Sequence, residues 1–412
     1  MKAICKATFI VLLNLTLGLG AGCSLEQEQE PGQCGLLSTQ LVERDTDANG
    51  ELDNRNETTF AYDEEGRLLV RTSALDSDMD GSPDHLQTDS WTYDEAGNVL
   101  SETNQSESSA DESSGSSFYS RVWTYDEEGK VLTGFLEMDT DGDGENNAEQ
   151  MTEFSYDDAG YLSTKSSQTD GSVDGVPDGI PDSFNVYNYT YDQDGNMLTE
   201  VRQDDGNADG VNDLTATSTW TYDSAGNPLT YGVDQDSDGD GTIDFHLSWV
   251  YSYDANGHLI LSTKEVDQDG NGTVDRSTYT YTYTDDGDGN VLTETRTIDD
   301  NADAVIDQLA EWVWTYDVDG NVLTEVLEVD YAADGLIDFT RTDVFTYDSA
   351  GNLLTGLHES LDDSAALVER DSSTFSYNAD NQLVTAHYER DNDGDGVLDS
   401  IDDRTNTYFP CD

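Results

Sequence analysis

Along most of this chain, aromatic and small polar residues alternate with a period of two, and the alternating segments return every 30 to 35 residues. Their anchor is an aromatic residue, a small residue and Tyr, found eleven times from Phe60/Tyr62 and Trp91/Tyr93 through Trp220/Tyr222 and Trp314/Tyr316 to Phe375/Tyr377. In residues 90–102, alternation puts Trp91 and Tyr93 on one face of an extended segment and Thr92 on the other. Trp, Thr and Tyr all suit a pleated surface. Residues 94–97 read as a tight turn, because Asp94 can hydrogen-bond the local backbone and Gly97 accepts positive φ. Val99 and Leu100 start the return strand, and the same turn recurs at Asp223 and Asp348. The repeat unit is therefore a β-hairpin.

A lone hairpin is marginal, but stacked neighbours share an aromatic face. The expected fold is all-β: eleven tandem hairpins with a period of about 31 residues, joined by Asp/Gly-rich loops. Because sheets twist, they are expected to form an elongated, twisted or curled sheet, a solenoid-like shell. The ladder of Trp, Phe and Tyr is expected to be its packing face, with an exposed ligand platform as the alternative. The repeats run over residues 41–412. Residues 104–115 read as a polar insertion, the 361–369 connection as a degraded loop, and Tyr408 as a half repeat capping the end.

Between hairpins the chain repeats Asp-x-(Asp/Asn)-x-(Asp/Asn)-Gly-x-x-Asp. The first copy supplies Asp45, Asp47, Asn49 and Asp53, and the second Asp76, Asp78, Asp80 and Asp84. Further copies supply Asp205, Asn207, Asp209 and Asp213; Asp236, Asp238, Asp240 and Asp244; Asp267, Asp269, Asn271 and Asp275; and Asp391, Asp393, Asp395 and Asp399. Near copies offer Asp139, Asp141 and Asp143 with Asn147 in ninth place, and Asp170, Asp174 and Asp178 with Ser172 in third. Another offers Asp299, Asn301, Asp303 and Asp307, with Ala304 replacing the glycine. The copy at Asp330 has lost its third-position ligand to Ala332.

This spacing suits a hard cation. Calcium takes six to eight oxygens, which first, third, fifth and ninth side chains can supply as the chain wraps around it. Crowding these anions without a cation is repulsive. Plain polar turns would also explain the composition. An EF-hand is excluded because its twelfth-position Glu is replaced by Asn56, Gln87, Gln150, Leu247 or Thr278, and because the flanks read as strands. Calcium is therefore the expected ligand, and magnesium fits less well.

Asp and Glu number 89 against 17 Lys and Arg, for a net charge of −72. That charge disfavours nucleic acid and anionic membrane as direct partners. Residues 1–22 read as a signal peptide: Lys2 and Lys6, an apolar run to Leu19, then small residues before Cys23. Lipidation at Cys23 is expected, with Gly20 departing from the usual pattern, and ordinary cleavage is the alternative. Residues 23–40 read as a polar tether. With Cys5 removed and Cys23 lipidated, Cys34 and Cys411 are a candidate disulfide pair in an oxidising compartment.

The string Tyr93-Asp94…Gly97-Asn98-Val99-Leu100, matched at Tyr316-Asp317…Gly320-Asn321-Val322-Leu323, resembles the tyrosine-aspartate repeat of the Rhs family. The acidic loops resemble thrombospondin type 3 repeats. The first resemblance implies a spiralling shell of hairpins; no segment resembles the family's autoproteolytic core or toxin. The five histidines share no repeat position, and no nucleophile elbow or phosphate loop is present, so no enzyme is expected. The expected role is a calcium-binding structural or adhesive scaffold, lipid-anchored in a bacterial envelope or secreted. A module binding a cell-surface protein or glycan is the alternative, and an accessory of an Rhs-type delivery system a second one.

Overall fold

The computed structural model describes residues 36–108, 116–171, 177–287 and 290–408. Twenty-four antiparallel strands follow in chain order, most of them nine residues long. All even-numbered strands but β16 (Asp275–Asp285) end on the repeat tyrosine, among them β2 (Asn54–Tyr62), β4 (His85–Tyr93) and β24 (Ser400–Tyr408). All odd-numbered ones but β5 (Val99–Ser108) and β21 (Leu353–Leu361) end on an aspartate, among them β1 (Leu37–Asp45), β13 (Pro228–Asp236) and β23 (Leu383–Asp391). The acidic loops therefore gather at one rim of the sheet and the Tyr-Asp turns at the other.

The turns form for local reasons. The Asp94 N–H donates to the Asn98 carbonyl at 2.9 Å, and the Gly97 N–H to the Asp94 carbonyl at 3.2 Å. Asp94 Oδ1 accepts the Ala96 and Asn98 N–H groups, each at 2.8 Å, while Gly97 sits at φ 94°. The tyrosine before the turn then reaches sideways. Tyr93 donates to the Leu68 carbonyl at 2.8 Å and Tyr125 to that of Val99 at 2.6 Å, so each hydroxyl ties its hairpin to the preceding one.

The expected open, elongated sheet is not what forms. β1 pairs with β2 on one side and with β24 on the other, from Thr39↔Thr407 to Asp45↔Ile401, and the sheet closes into a 24-stranded barrel. Accumulated twist and coil bring the two ends together, and closure removes both free edges. β24, taken from the sequence as a cap, completes a twelfth two-strand unit with β1. β1 accordingly begins at Leu37, so residues 37–40 leave the expected tether for the wall. The expected insertion is also displaced. Residues 104–108 belong to β5 (Val99–Ser108), and Asn104 donates to buried Asp89 at 2.6 Å; residues 109–115 lie outside the described residues.

The wall is one layer thick. At the usual spacing of about 4.8 Å, 24 strands enclose a ring at least roughly 36 Å across. Among the described residues only Trp249, Ile298, Ala310, Val329 and Ala386 are buried hydrophobics. The aromatic ladder is half-buried along one face, braced by cations such as Arg121, 5.7 Å from the Trp123 ring, and Arg296, 5.2 Å from that of Trp312. On the opposite face, hydroxyl pairs such as Thr124–Thr133 and Thr221–Thr230, both at 2.7 Å, bridge the hairpins.

Candidate metal centre

Each acidic loop follows an odd-numbered strand and closes on its own aspartates. In the loop after β13, Asp236 Oδ2 accepts the Gly241 N–H at 2.8 Å, and its Oδ1 accepts that of Gly239 at 2.8 Å. Third-position Asp238 accepts the N–H of Asp240 at 3.2 Å, and fifth-position Asp240 that of Thr242 at 2.7 Å. Ninth-position Asp244 reaches back to the Ser237 N–H at 2.7 Å. Residues four and six are left-handed in this loop, Gly239 at φ 71° and Gly241 at φ 88°. Residue four went unnoticed in the sequence because Ala48, Met79 and Ala208 also occupy it, at φ 50° to 59°. At Gly239 more than φ matters: a Cβ would lie 2.0 Å from the Asn212 carbonyl of the preceding loop, so adjacent loops nest backbone to backbone.

Five of the nine expected loops bring three carboxylates within 4.8 Å of one another: Asp45/Asp47/Asp53, Asp76/Asp78/Asp84, Asp139/Asp141/Asp143, Asp236/Asp238/Asp244 and Asp391/Asp393/Asp399. Four of these use positions one, three and nine. The fifth-position aspartates Asp80, Asp240 and Asp395 fall outside the clusters, and they and Asn49 accept the N–H of residue seven. At Asp139 the fifth residue, Asp143, joins, while ninth-position Asn147 caps Thr140.

The other loops differ for identifiable reasons. Those at Asp205 and Asp299 carry Asn207 and Asn301 in third place, leaving Asp209, Asp213, Asp303 and Asp307 without a third-position carboxylate partner. In the loop at Asp267, Asp269 lies nearby, but Asp275 begins β16 (Asp275–Asp285) and joins no carboxylate triple, while Asn271 accepts the Thr273 N–H at 2.8 Å. After Asp170 the register slips. Asp178 N–H and Gly179 N–H bond Asp170 at 3.1 and 2.6 Å, so Asp178 takes the fifth position rather than the ninth. Asp182 then takes the ninth, its N–H donating to the Thr169 carbonyl at 2.8 Å. The string Asp178-Gly179-Ile180-Pro181-Asp182 repeats the motif's second half and was legible in the sequence. Asp174, like Cys23, Cys34 and Cys411, lies outside the described residues. The degraded connection at residues 362–366 has become a short turn, with Asp362 N–H bonded to the Ala366 carbonyl at 3.0 Å.

First-position aspartates use their oxygens in two ways: Asp45, Asp139 and Asp236 give both to backbone N–H groups, whereas Asp76 and Asp391 each keep one buried oxygen unpaired. Asp330, whose loop lacks the third ligand, spends both oxygens on backbone N–H groups: Oδ1 on Ala332 and Asp334, Oδ2 on Gly335. Asp391 is equally buried, at 2 % exposure, and its Oδ2 accepts the Gly396 N–H at 2.8 Å; its buried Oδ1 has no hydrogen-bond partner. A buried carboxylate oxygen without a partner costs stability unless a cation or water meets it. The donor set, all hard oxygen, fits calcium. Barrel closure also places the loops at Asp391, Asp45 and Asp76 on three successive hairpins, although the first two are far apart in sequence.

Several of these aspartates are held ionised. The Thr46 hydroxyl and N–H keep Asp53 below the usual carboxylate range, and Ser77 does the same for Asp84. At the opposite rim Asn98, Asn227 and Asn321 lower Asp94, Asp223 and Asp317. A carboxyl lowered by folding stabilises the fold above its unfolded pKa of about 3.9, and that contribution is lost as pH falls through the folded value. Unfolding in calcium-free buffer is therefore expected below about pH 4. Circular dichroism against pH checks this, and loss of β signal already at pH 5 would contradict it.

No protein-family model and no curated protein matches the chain. Among solved structures, a porin-like protein from Bacteroides uniformis aligns at 10 % identity and a TM-score of 0.22, covering 76 % of this chain and 98 % of that one. The alcaligin outer membrane receptor FauA of Bordetella pertussis aligns at 8 % identity and a TM-score of 0.28, covering 92 % and 77 %. The Tc holotoxin pore of Photorhabdus luminescens aligns at 13 % and 0.16, with 84 % of this chain against 24 % of that one. Scores this low establish neither a common fold nor a common function.

Proposed function

We propose that this protein is a calcium-binding β-barrel of the bacterial envelope, serving as a structural or adhesive scaffold. The observation that carries the reading is the gathering of first-, third- and ninth-position carboxylates in loops that share one rim. Calcium at these loops would neutralise charge where it is densest and lock each loop against its neighbour.

The strands have the length of membrane-spanning ones, but a spanning barrel needs an outward apolar band. Exposed Glu57, Glu153 and Glu311 sit near mid-strand on one face, while Asp89, Arg121 and Asp343 sit mid-strand on the other. This supports a barrel standing outside the bilayer and attached through lipid at Cys23. The 14 residues from Cys23 to Leu37 could reach about 45 Å. β1 starts at the Tyr-Asp rim, so the acidic rim would point away from the membrane.

An adhesive role draws support from apolar side chains on that same rim. Val305, Ile306, Tyr331, Leu336 and Ile337, on two neighbouring loops, are all at least 40 % exposed. Calcium titration calorimetry on the mature full chain tests the proposal. About five bound ions are expected, one per cluster; no binding at millimolar calcium would end it.

A further inference from the structure

Most first-position aspartates, Asp205 and Asp299 among them, give both side-chain oxygens to backbone N–H groups. Asp391 and Asp76 do not. Each gives Oδ2 to the N–H of residue six, Gly396 at 2.8 Å and Gly81 at 2.9 Å, and each keeps a buried Oδ1 without a partner. The difference lies in the fifth-position N–H. In the Asp205 loop the Asp209 N–H divides between Asp205 and Asn207, at 3.1 and 3.0 Å, whereas the Asp395 N–H goes to Asp393 at 3.2 Å. Asp391 is 2 % exposed, while Asp76 remains partly open to water.

Asp391 is also one of three carboxylates within 4.8 Å of one another, with Asp393 and Asp399. It thus joins a cluster of anions to a buried oxygen that no protein group meets. A cation at this loop recovers a cost that folding has left in place. At the Asp45, Asp139 and Asp236 loops a cation must share oxygens that backbone N–H groups already engage. Building on the calcium reading above, we infer that the Asp391 loop is the barrel's tightest calcium site, binding about 10- to 100-fold more strongly than those three loops. The Asp76 loop ranks between them.

Its place in the fold gives the first ion a structural task. Asp391 is the last residue of β23, and Asp399 directly precedes β24. The Asp399 N–H donates to the Arg390 carbonyl at 2.7 Å, and its Oδ2 accepts the Asn392 N–H at 2.6 Å. β24 is the strand that closes the barrel on β1; across that seam Arg44 meets Asp402 at 3.1 Å and Gln40 donates to Asn406 at 3.1 Å. An ion between Asp391 and Asp399 fixes β24 beside β23 and so holds in place the edge that β1 needs. The lowest effective calcium concentration therefore acts on closure.

Calorimetric titration of the chelator-treated mature full chain with calcium chloride tests this, on wild type, Asp391→Asn and Asp236→Asn. The tightest ion should be present in wild type and in Asp236→Asn and absent from Asp391→Asn. Several ions bound with one affinity, or a tightest ion that survives in Asp391→Asn, would overturn the ranking and leave the calcium reading standing. No binding at millimolar calcium would end both. Hydrogen exchange on the wild type gives a reading that needs no variant. With one equivalent of calcium, amides of β24 and β1 should slow before those of the strands flanking the Asp139 and Asp236 loops. Protection that arrives everywhere together, or at those loops first, would place the first ion elsewhere and overturn the inference.

Discussion

Replacing Asp393 by Asn should leave the calcium-free protein within about 0.5 kcal/mol of wild type, yet weaken calcium binding at that loop about 10- to 100-fold, or roughly 1.4–2.7 kcal/mol. The first half follows from what Asp393 does in the fold. Its Oδ1 accepts the Asp395 N–H at 3.2 Å, a task an amide oxygen performs equally well. Asn207 and Asn301 do so naturally, accepting the N–H of Asp209 at 3.0 Å and that of Asp303 at 2.9 Å. The second half follows from charge, because calcium affinity of oxygen sites depends on the number of anionic ligands. Asp391→Ala is the contrasting variant. It strands the Gly396 N–H and should destabilise the calcium-free protein by about 1–3 kcal/mol. Chemical denaturation of both variants with calcium and with chelator separates the two roles. If Asp393→Asn behaved like wild type in calcium too, the aspartates would be turn formers alone.

Proline at Gln40 and proline at Leu41 should each cost about 3 kcal/mol or more. In a closed barrel β1 has a hydrogen-bonded neighbour on both sides, Leu41 lying between Glu57 and Thr405, and Gln40 between Thr58 and Asn406. Successive N–H groups of a strand point to opposite neighbours, so neither residue has one to spare. In an open sheet β1 would be an edge strand, and one of the two prolines would direct its missing N–H at solvent and cost little. Denaturation midpoints of the pair therefore report closure directly. One near-native variant beside one damaged variant would mean that the seam is open in solution.

How much was legible in advance depends on the range of the interactions. Strand and turn positions rest on contacts only a few residues long. Asp94 bonds Ala96 and Asn98, and alternation is a property of neighbouring positions, so both could be read from the string itself. The acidic motif is similarly local, which is why Asp236, Asp238 and Asp244 were found together. Its failures were local conflicts of register. At Asp170 the extra residues shift Asp178 to a new role and bring in Asp182, and in most clusters the fifth position is spent on the backbone.

The sequence by itself determined the hairpin, its period, the two chemically different rims and the oxygen-rich loops, because each is set by spacing within one repeat. Only the tertiary structure decided that the array closes, that β24 and β1 make a twelfth unit, and that Asp391 and Asp45 head neighbouring hairpins. Closure is the sum of a small twist and curvature at every strand, and no single repeat carries enough information to say whether the last strand will meet the first.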